Sequence, residues 1–398
     1  MREAVILAGG MASRLGDTAS QTPKAMLDVA GRPFIDHVAW NLKRYGVDHI
    51  IVAAGRLGSQ LADHVGDGAD WGVDAEVVIE PEPLGTGGAA ALAAAHLAGD
   101  EFLLLNGDTL LDVDYLDLIG ARRASGAVFA MALRQVDDVA RYGSVTLDGT
   151  RVTAFAEKGA SGPGFINGGV YALDRAALAE APPGAFSLEH DVLGELVGQG
   201  DVAGMATSGL FVDIGVPESL ALAAEQVAKW RDKPLVLLDR DGVLNVDHGW
   251  VHTPQEWEWM PGAIEAVKRL NDCGALVAVV TNQAGIARGM YTEDEYPRFE
   301  HWIADELAEH GAHLDAVYHC PHHPTQGESE LTRVCECRKP APGMLHAALA
   351  EFTVRPDRAV FIGDKESDMA AAAAAGVRGA RYTGGDVLEF VKQVVPCE

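Results

Sequence analysis

Two aspartates, Asp239 and Asp241, stand two positions apart in the segment LVLLDRDGVLN. Such a pair can perform phosphoryl transfer, because one carboxylate can attack the phosphate while the other protonates the leaving group and later activates water. The reaction also needs a hard cation, and Asp364 in VFIGDKESD offers a third carboxylate. Asp239, Asp241 and Asp364 are therefore candidate Mg²⁺ ligands, with Asp239 predicted to be the nucleophile and Asp241 the acid and base.

Donors for the phosphate oxygens follow in the segments VVTNQ and RKP. Thr281 and Lys339 are predicted to bind the phosphate, Asn282 to contact the substrate, and Asp368 to orient Lys339. One D-x-D pair alone would more simply be two solvated loop residues. Four motifs in this order, each after an apolar strand, favour a phosphoryl-transfer site instead.

These motifs resemble those of the haloacid dehalogenase superfamily of phosphatases over nearly all of residues 234–398. Within that superfamily, the segments DRDGVLNVDHGWVHTPQEWEWMPGA, TNQAGIARGMY, CPHH, CECRKP and GDKESDM look like D-glycero-D-manno-heptose 1,7-bisphosphate 7-phosphatase. The resemblance implies a domain without a large cap and with a zinc-bound loop, here 320–337, beside the active site.

Three of the five cysteines lie in the segment CPHHPTQGESELTRVCECRKP. The resemblance implies that zinc is bound by Cys320, His322, Cys335 and Cys337. The C-x-H and C-x-C pairs supply four soft or borderline ligands, as a closed structural zinc site requires. A disulfide and a C-x-C redox pair are the alternatives, and His323 is an alternative to His322. We assign no role to the remaining cysteines, Cys273 and Cys397.

The cysteine segment runs directly into two cations, Arg338 and Lys339. We infer that the metal would position both at the phosphate. Arg288, in GIARG, is a further candidate phosphate contact, although an exposed surface arginine is an equally good interpretation. Trp250, in DHGW, is predicted to pack in the core or to line the substrate entrance.

A glycine-rich loop follows the first apolar strand, in VILAGGMASRLGDTASQTPKAML. Gly9 and Gly10 would let backbone N–H groups approach phosphates, and Arg14 and Lys24 would neutralise charge on a nucleotide. The loop lacks both the P-loop pattern and the dinucleotide pattern G-x-G-x-x-G. Alone it is also consistent with an ordinary tight turn.

Later segments make the nucleotide site more specific, because together they resemble the sugar-1-phosphate nucleotidylyltransferases over about residues 1–225. They are EPLGTGGAA, LLLNGDT, RYGSV, FAEKG, FINGGVYAL, FSLEHDVL and FVDIGVPE. The resemblance implies that Asp108 and Asp213 bind Mg²⁺. It also implies that four residues face the nucleotide base: Gly85, Thr86, Gly87 and Gly88.

The same resemblance implies the acceptor site. Lys158 would contact the sugar 1-phosphate, and Gly143, Glu157 and Asn167 would contact the sugar. The chain departs from the family at Ala12, where a glycine is usual. If that position needs a positive φ, alanine would strain the loop by roughly 1 kcal/mol.

The elements that must position these residues are apolar strands alternating with helical stretches, in both halves of the chain. Strands such as EFLLLNGD and RAVFIGD precede the motifs, whose residues therefore lie at carboxyl ends of strands. The pattern predicts an α/β protein of two domains, each a mostly parallel sheet with helices on both faces. We predict a Rossmann-like nucleotidyltransferase domain over 1–232 and a HAD-like domain over 233–398.

The composition of this 398-residue chain disfavours some classes of binding partner. A formal net charge of -27 disfavours nucleic acid and anionic membranes as partners. No apolar stretch approaches the roughly 18 residues of a membrane span, and no signal-peptide pattern opens the sequence. A cytoplasmic enzyme acting on small phosphorylated molecules is expected, and a homo-oligomer is compatible with the sequence.

The two resemblances describe consecutive steps, since a heptose bisphosphate 7-phosphatase makes the 1-phosphate that a nucleotidylyltransferase consumes. We predict a bifunctional enzyme that forms GDP-heptose from GTP, with Mg²⁺ in both domains and structural zinc in the second. One alternative pairs a histidinol-phosphate-type phosphatase with a mannose- or glucose-1-phosphate nucleotidylyltransferase. Another makes the first domain a non-catalytic nucleotide-sugar sensor that regulates the phosphatase.

Overall fold

The computed structural model of the protein describes residues 2–10, 21–156, 161–179, 181, 184–327 and 330–397. Its chain divides into two compact units, unit 1 up to Arg231 and unit 2 from Asp232 onward. Within the described ranges, no helix combines the length and the apolar character that a membrane crossing needs.

The strands and helices of unit 1 alternate over much of its length. The strands are β1 (Arg2–Leu7), β2 (Asp28–Val29), β3 (Arg32–Pro33), β4 (Val47–Ala54), β5 (Asp74–Ile79), β6 (Glu101–Asn106), β7 (Thr109–Leu111), β8 (Phe129–Val136), β9 (Ser144–Asp148), β10 (Arg151–Ala156), β11 (Gly164–Asp174), β12 (Val202–Thr207) and β13 (Phe211–Asp213). The helices are α1 (Phe34–Arg44), α2 (Gly58–Val65), α3 (Gly85–Ala94), α4 (Tyr115–Ser125), α5 (Gly194–Gln199) and α6 (Pro217–Arg231).

The main sheet of unit 1 has the order β5-β4-β1-β6-β11-β8-β12-β10-β9. Consecutive β1 residues Ala4, Val5 and Ile6 are all fully buried, so both faces of the sheet are covered, because neighbouring side chains point to opposite faces. Strands β5, β4, β1 and β6 run parallel, and their carboxyl ends therefore meet at one edge. The predicted α/β class with two Rossmann-like domains is confirmed.

The sheet of unit 1 is nevertheless mixed, where the sequence predicted a mostly parallel one. β11 runs antiparallel to both β6 and β8, and β9 and β10 form a hairpin at the edge. In that hairpin Asp148 lies opposite Arg151, and Gly149 between them has a φ of 62°. A glycine allows this left-handed turn without steric cost, so the chain reverses directly instead of crossing over through a helix.

Unit 2 contains one short-stranded sheet and the remaining helices. The strands are β14 (Leu235–Leu238), β15 (Leu276–Asn282), β16 (Ala316–Cys320), β17 (Ala359–Gly363) and β18 (Arg378–Arg381). The helices are α7 (Ala263–Asp272), α8 (Tyr296–Glu309), α9 (Gly343–Phe352), α10 (Glu366–Ala374) and α11 (Val387–Val394).

The sheet of unit 2 is parallel throughout, in the order β16-β15-β14-β17-β18. Every residue of β14 is buried, as expected for a central strand covered on both faces. Asp239 follows β14 directly, Thr281 and Asn282 end β15, and Asp364 follows β17. Three adjacent strands thus deliver the predicted phosphatase residues to one edge of the sheet.

Cys273 and Cys397, to which the sequence assigned no role, form a disulfide. Their Cα atoms lie 5.5 Å apart, within the usual range for such a bond. Cys273 follows α7 and Cys397 follows α11, so the bond ties the end of the chain to an earlier helix of unit 2.

Candidate active sites

The central feature of unit 2 is a buried lysine between two buried aspartates. Lys339 Nζ lies 2.8 Å from Asp239 Oδ1 and 2.8 Å from Asp368 Oδ1. It also donates a hydrogen bond to the carbonyl of Val280 at 2.8 Å. All three charged residues are almost completely buried, and a buried charge needs such partners to be tolerated. The structure therefore brings together three of the residues that the sequence singled out.

The backbone around Lys339 is fastened to the end of β15. Asn282 Nδ2 donates to the Lys339 carbonyl at 3.1 Å, and the Lys339 amide donates back to Asn282 Oδ1 at 3.0 Å. This reciprocal pair of hydrogen bonds engages both the nitrogen and the oxygen of the Asn282 side-chain amide. Asn282, predicted as a substrate contact, thus holds the lysine in place and also lines the cavity described below.

Asp239 occupies an environment suited to a reactive carboxylate. Burial raises its pKa to about 6, against the lowering effect of the Lys339 ammonium. Its backbone amide donates to the carbonyl of Ile362 on β17 at 2.9 Å, which continues the parallel pairing past β14. The carboxylate is therefore held rigidly at the end of the central strand.

Asp241 is oriented by donors on three sides. Arg240 Nη2 lies 2.9 Å from its Oδ1 and 3.1 Å from its Oδ2, Asn245 donates to Oδ1 at 3.1 Å, and Gln283 donates to Oδ2 at 3.1 Å. Arg240 is itself fully buried and donates to the carbonyl of Val251 at 2.6 Å. The predicted acid and base is thus fixed by residues that sequence reasoning missed.

A short hydrogen-bond relay joins Asp241 to Thr281, the predicted phosphate donor. Gln283 Nε2 donates to Thr281 Oγ1 at 2.7 Å as well as to Asp241, and Tyr291 donates from its hydroxyl to Gln283 Oε1 at 2.6 Å. Gln283 follows Thr281 by two positions in VVTNQ, so its place in the motif was a usable signal. Tyr291 offered no comparable signal.

The acidic residues of this edge offer a fit for Mg²⁺. Carboxylate oxygens of Asp239, Asp364 and Asp368 lie within 4.8 Å of one another. Asp364 Oδ1 is sealed from solvent without a hydrogen-bond partner, and burial raises the Asp364 pKa. Such an orphaned oxygen suits a cation. Asp241 is not in this group, because its carboxylate faces Arg240; its role as a metal ligand stays a prediction.

The four predicted zinc ligands converge on one point. The sulfur of Cys337 lies 3.2 Å from that of Cys320 and 3.3 Å from that of Cys335, and 3.3 Å from Nδ1 of His322. These three cysteines form no disulfide. Burial and, to a smaller extent, the Arg333 guanidinium lower the pKa of His322, which favours the neutral imidazole that metals bind. Three sulfurs and one nitrogen within a small ion's reach fit tetrahedral zinc.

The predicted phosphatase residues, apart from Asp364 and the four predicted zinc ligands, line a cavity of about 430 Å³. Arg288, Arg338 and His323 lie on its wall, so two guanidinium cations are available where a phosphate would enter. Arg338 is held by a hydrogen bond to the His322 carbonyl at 3.0 Å. Trp250 also lines this cavity, with the Arg288 guanidinium 5.1 Å from its ring centre.

In unit 1, a cavity of about 370 Å³ lies over the carboxyl ends of β5, β4, β1 and β6. Gly9 and Gly10 line it, as do Gly85 and Thr86 at the start of α3. Lys24 lies on the wall and forms an ion pair with Asp108. The described part of the glycine loop and the segment predicted to face the base thus enclose one space.

The start of α3 is shaped by close contacts with the segment before α5. Gly87 donates its amide to the Phe186 carbonyl at 3.0 Å, and Thr86 donates its hydroxyl to Glu189 Oε2 at 2.9 Å. A side chain at Gly88 would approach the Gly184 carbonyl to 2.7 Å. Glycines at these positions therefore let the two segments meet.

A second cavity of about 240 Å³ adjoins the first, since Lys24, Asn106 and Asp108 line both. Asp213 and the predicted sugar contact Asn167 also line it. The carboxylates of Asp108 and Asp213, beside Lys24, are a donor set suited to Mg²⁺.

Among the described residues, the predicted Gly87, Gly88 and Gly143 do not line either cavity. Gly143 lies close by, since its neighbours Arg141 and Tyr142 line the second cavity. Arg14, Glu157 and Lys158 lie outside the described residues, as does Ala12.

Comparison with known proteins assigns each half of the chain to a family. Residues 3–229 match the nucleotidyl transferase family, and residues 336–387 match the HAD-hydrolase-like family. The D-glycero-beta-D-manno-heptose-1,7-bisphosphate 7-phosphatase of Pasteurella multocida is 44% identical over 146 residues, which are 37% of this chain and 79% of that protein. The same-named protein of Rhodopseudomonas palustris is 44% identical over 164 residues, 41% of this chain and 91% of the relative.

Among solved structures, HddC from Yersinia pseudotuberculosis is similar to this chain. It has 34% sequence identity and a TM-score of 0.52, and the match covers 57% of this chain and 99% of HddC. A second crystal structure shows HddC complexed with GMP-PN, with a TM-score of 0.51.

Proposed function

We propose a two-step enzyme, on the premise that the chain belongs to the nucleotidyl transferase family through residues 3–229 and to the D-glycero-beta-D-manno-heptose-1,7-bisphosphate 7-phosphatases through its second half. Unit 2 removes the 7-phosphate of the heptose bisphosphate. Unit 1 then transfers GMP from GTP to the heptose 1-phosphate, giving GDP-heptose and pyrophosphate. The 1-phosphate left by the first reaction is the acceptor that the second requires.

In unit 2, Asp239 attacks the 7-phosphorus, and Asp241 gives a proton to the departing sugar oxygen. Asp241 then takes a proton from water, which attacks the phospho-aspartate and releases phosphate with Asp239 restored. Lys339 and Thr281 bind the phosphate oxygens, and Asp368 holds the lysine in place. Mg²⁺, bound by Asp239 and Asp364, would neutralise charge on the phosphoryl group.

In unit 1, an oxygen of the sugar 1-phosphate attacks the α-phosphorus of the nucleotide, and the bond to pyrophosphate breaks. Lys24 lies between the two cavities, where it can stabilise the α-phosphate. Asp108 and Asp213 would hold Mg²⁺, and Asn167 would contact the sugar. Zinc in unit 2 has a structural role in this proposal, since all four ligands come from the protein.

The observation that carries the phosphatase half is the placement of Lys339 between Asp239 and Asp368 in a cavity with Thr281. The histidinol-phosphate alternative is not favoured, since the relatives described above act, by their names, on a heptose bisphosphate. The sensor alternative is not favoured either, since Lys24, Asp108 and Asp213 line the cavities of unit 1.

The test is one assay with purified protein, heptose 1,7-bisphosphate and GTP, following both phosphate and pyrophosphate. Phosphate release should not need GTP, whereas pyrophosphate release should need GTP and prior dephosphorylation. Asp239→Asn should abolish both from the bisphosphate and leave pyrophosphate release from heptose 1-phosphate intact. Phosphate release from histidinol phosphate but never from the heptose substrate would overturn the proposal.

A further inference from the structure

A buried tyrosine of unit 2, Tyr291, reaches the phosphatase site without lining its cavity. It lies between β15 and α8 and is 4% exposed. Its hydroxyl donates a hydrogen bond of 2.6 Å to Gln283 Oε1. Gln283 is buried as well, and its amide nitrogen contacts both Asp241 and Thr281. One side chain therefore separates Tyr291 from the proposed acid and base.

The ring of Tyr291 is held in place by its neighbours. The His252 ring stacks on it, with 4.5 Å between ring centres and 11° between the planes. The ring also lies against the backbone of Gly285, where an added Cβ would come within 2.3 Å of it. Burial raises the pKa of Tyr291 to about 12, so the hydroxyl keeps its hydrogen at neutral pH. The hydroxyl is thus a fixed hydrogen-bond donor.

The Tyr291 hydroxyl determines which way the Gln283 amide faces. A glutamine amide has one accepting end and one donating end. Because Tyr291 donates to the carbonyl oxygen, the nitrogen points at Asp241 Oδ2, 3.1 Å away, and at Thr281 Oγ1, 2.7 Å away. If the amide turned over, its NH₂ group would face the hydroxyl, and the hydroxyl hydrogen would lose its acceptor. A buried donor without an acceptor is costly, so the observed orientation is favoured.

The orientation of the amide matters most when Asp241 carries a proton. Oδ1 accepts from Nε and Nη2 of Arg240 and from Asn245, whereas Oδ2 accepts from one nitrogen of Arg240 and from Gln283. An oxygen offers two lone pairs, so Oδ2 holds the proton more readily than Oδ1. A carbonyl oxygen in place of the Gln283 NH₂ group would accept that proton in a hydrogen bond. It would thereby withhold the proton from the departing sugar oxygen.

From this geometry we infer that Tyr291 is a positioning residue for proton transfer, an inference that rests on the proposed phosphatase reaction. It keeps the Gln283 amide turned so that the proton of Asp241 passes to the sugar oxygen. In this step Asp239 forms a bond to phosphorus and the bond between phosphorus and the sugar oxygen breaks. That oxygen takes the proton from Asp241 Oδ2, and Tyr291 keeps its own hydrogen throughout.

The variant Tyr291→Phe removes the hydroxyl and keeps the ring that packs on His252. The experiment measures kcat/KM for phosphate release by the full chain, with heptose 1,7-bisphosphate and with p-nitrophenyl phosphate. The sugar oxygen needs a proton as it leaves, whereas p-nitrophenolate leaves as a stable anion. Y291F should therefore lose about 5- to 20-fold with the heptose substrate and less than about twofold with p-nitrophenyl phosphate. A merely structural role would lower both values together.

Two controls accompany this variant. Tyr382→Phe removes another buried hydroxyl of unit 2, which donates to the Gly385 carbonyl at 2.5 Å and does not line the cavity. It should keep the wild-type kcat/KM with both substrates. Introducing Y291F into a Gln283→Ala background should cost less than about twofold more, because Tyr291 acts through Gln283.

Two outcomes overturn the inference while the proposed phosphatase stands. They are equal losses of Y291F with the two substrates, and an undiminished effect of Y291F in the Q283A background. If wild type hydrolyses p-nitrophenyl phosphate but not the heptose bisphosphate, the proposed function fails instead. Glycerol 1-phosphate, whose alkoxide also needs a proton, then replaces the sugar, and equal losses with it and with p-nitrophenyl phosphate would refute the role of Tyr291.

Discussion

Arg240 holds the carboxylate of Asp241 through two nitrogens. Its Nη2 lies 2.9 Å from Oδ1 and 3.1 Å from Oδ2, and its Nε donates to Oδ1 at 3.3 Å. The guanidinium is fully buried and is enclosed by aromatic rings, with its carbon 5.7 Å from the ring centres of both Tyr296 and Phe299. Because Arg240 cannot turn away into solvent, the orientation of Asp241 is set before substrate arrives.

Arg240→Lys should therefore impair proton transfer by Asp241 and leave unit 1 active. A lysine keeps the charge but cannot donate from two nitrogens in one plane. A charge-assisted hydrogen bond contributes about 1.5–3 kcal/mol, and the variant loses part of this contribution. If the loss raises the reaction barrier, the kcat of phosphate release should fall by about 10- to 100-fold. Pyrophosphate release from heptose 1-phosphate and GTP, measured on the same preparation, is the control. Equal losses in both activities would indicate general misfolding instead.

Asp368→Asn should weaken the hold on Lys339 without removing the nucleophile. Asp368 lies 2.8 Å from the lysine ammonium, and an amide in its place offers no charge. We expect KM for the bisphosphate to rise more than kcat falls, because Lys339 binds phosphate in both ground and transition states.

Glu366→Gln is the matched control for that variant, since Glu366 lies on the same helix but is exposed and pairs with Arg381. It should leave both constants within about twofold of wild type, as surface pairs contribute little. If E366Q lost as much activity as D368N, the proposed role of Asp368 in holding Lys339 would be refuted.

The raised pKa of Asp239 predicts a pH dependence of stability. The unfolded carboxyl titrates near 3.8 and the folded one near 6, so between these values the folded state binds more protons. The free energy of unfolding contributed by this group therefore falls as pH rises from about 4 to about 6.

Thermal unfolding of wild type and Asp239→Asn across that pH range, without added divalent ions, checks this expectation. The Tm of wild type relative to the variant should fall with rising pH, since only wild type acquires a buried charge. A constant difference between the two would contradict the environment described for Asp239.

Loss of zinc should disable unit 2 and spare unit 1. Cys337→Ser removes a ligand that lies within 3.3 Å of the other three. We expect a reduced zinc content by elemental analysis and the loss of phosphate release, with pyrophosphate release from heptose 1-phosphate retained.

Cys273→Ser serves as the control for the zinc prediction, because Cys273 lies in the disulfide and outside the cluster. It should keep full zinc content. Phosphatase activity in C337S at the wild-type level, despite an absence of zinc, would show that the loop positions Lys339 unaided.

The site residues that could be predicted from the sequence are those that lie in short motifs or directly after apolar strands. The convergence of Cys320, His322, Cys335 and Cys337 was implied by the family resemblance, and the grouping of the aspartates follows from strands that end at one edge. The place of Gln283 in VVTNQ was a usable signal, but its contact with Asp241 forms only because β15 lies beside β14. No signal in the sequence marked Tyr291, which donates to Gln283.

Other features depended on long-range contacts in the same way. Glu80 lines the larger cavity of unit 1, but it looks like an ordinary surface acid in EVVIEPEP until β5 is placed at the edge of that cavity. The disulfide joins residues separated by 124 positions, and no local pattern distinguishes them. The antiparallel strands of unit 1 escaped prediction because hairpin and crossover strands have similar apolar runs.

Lys339 is held on both sides, by the cluster that contains Cys337 and by the side chain of Asn282. This limits how the length of the chain can vary next to Lys339. Cys337 lies in the cluster of cysteines and histidine, and Asn282 holds the Lys339 backbone by two hydrogen bonds, so the one residue between Cys337 and Lys339 has no slack. A single insertion there would move the ammonium out of reach of Asp239. The stretch between His322 and Cys335 joins two points already held together, and residues can be inserted there at far lower cost to the site.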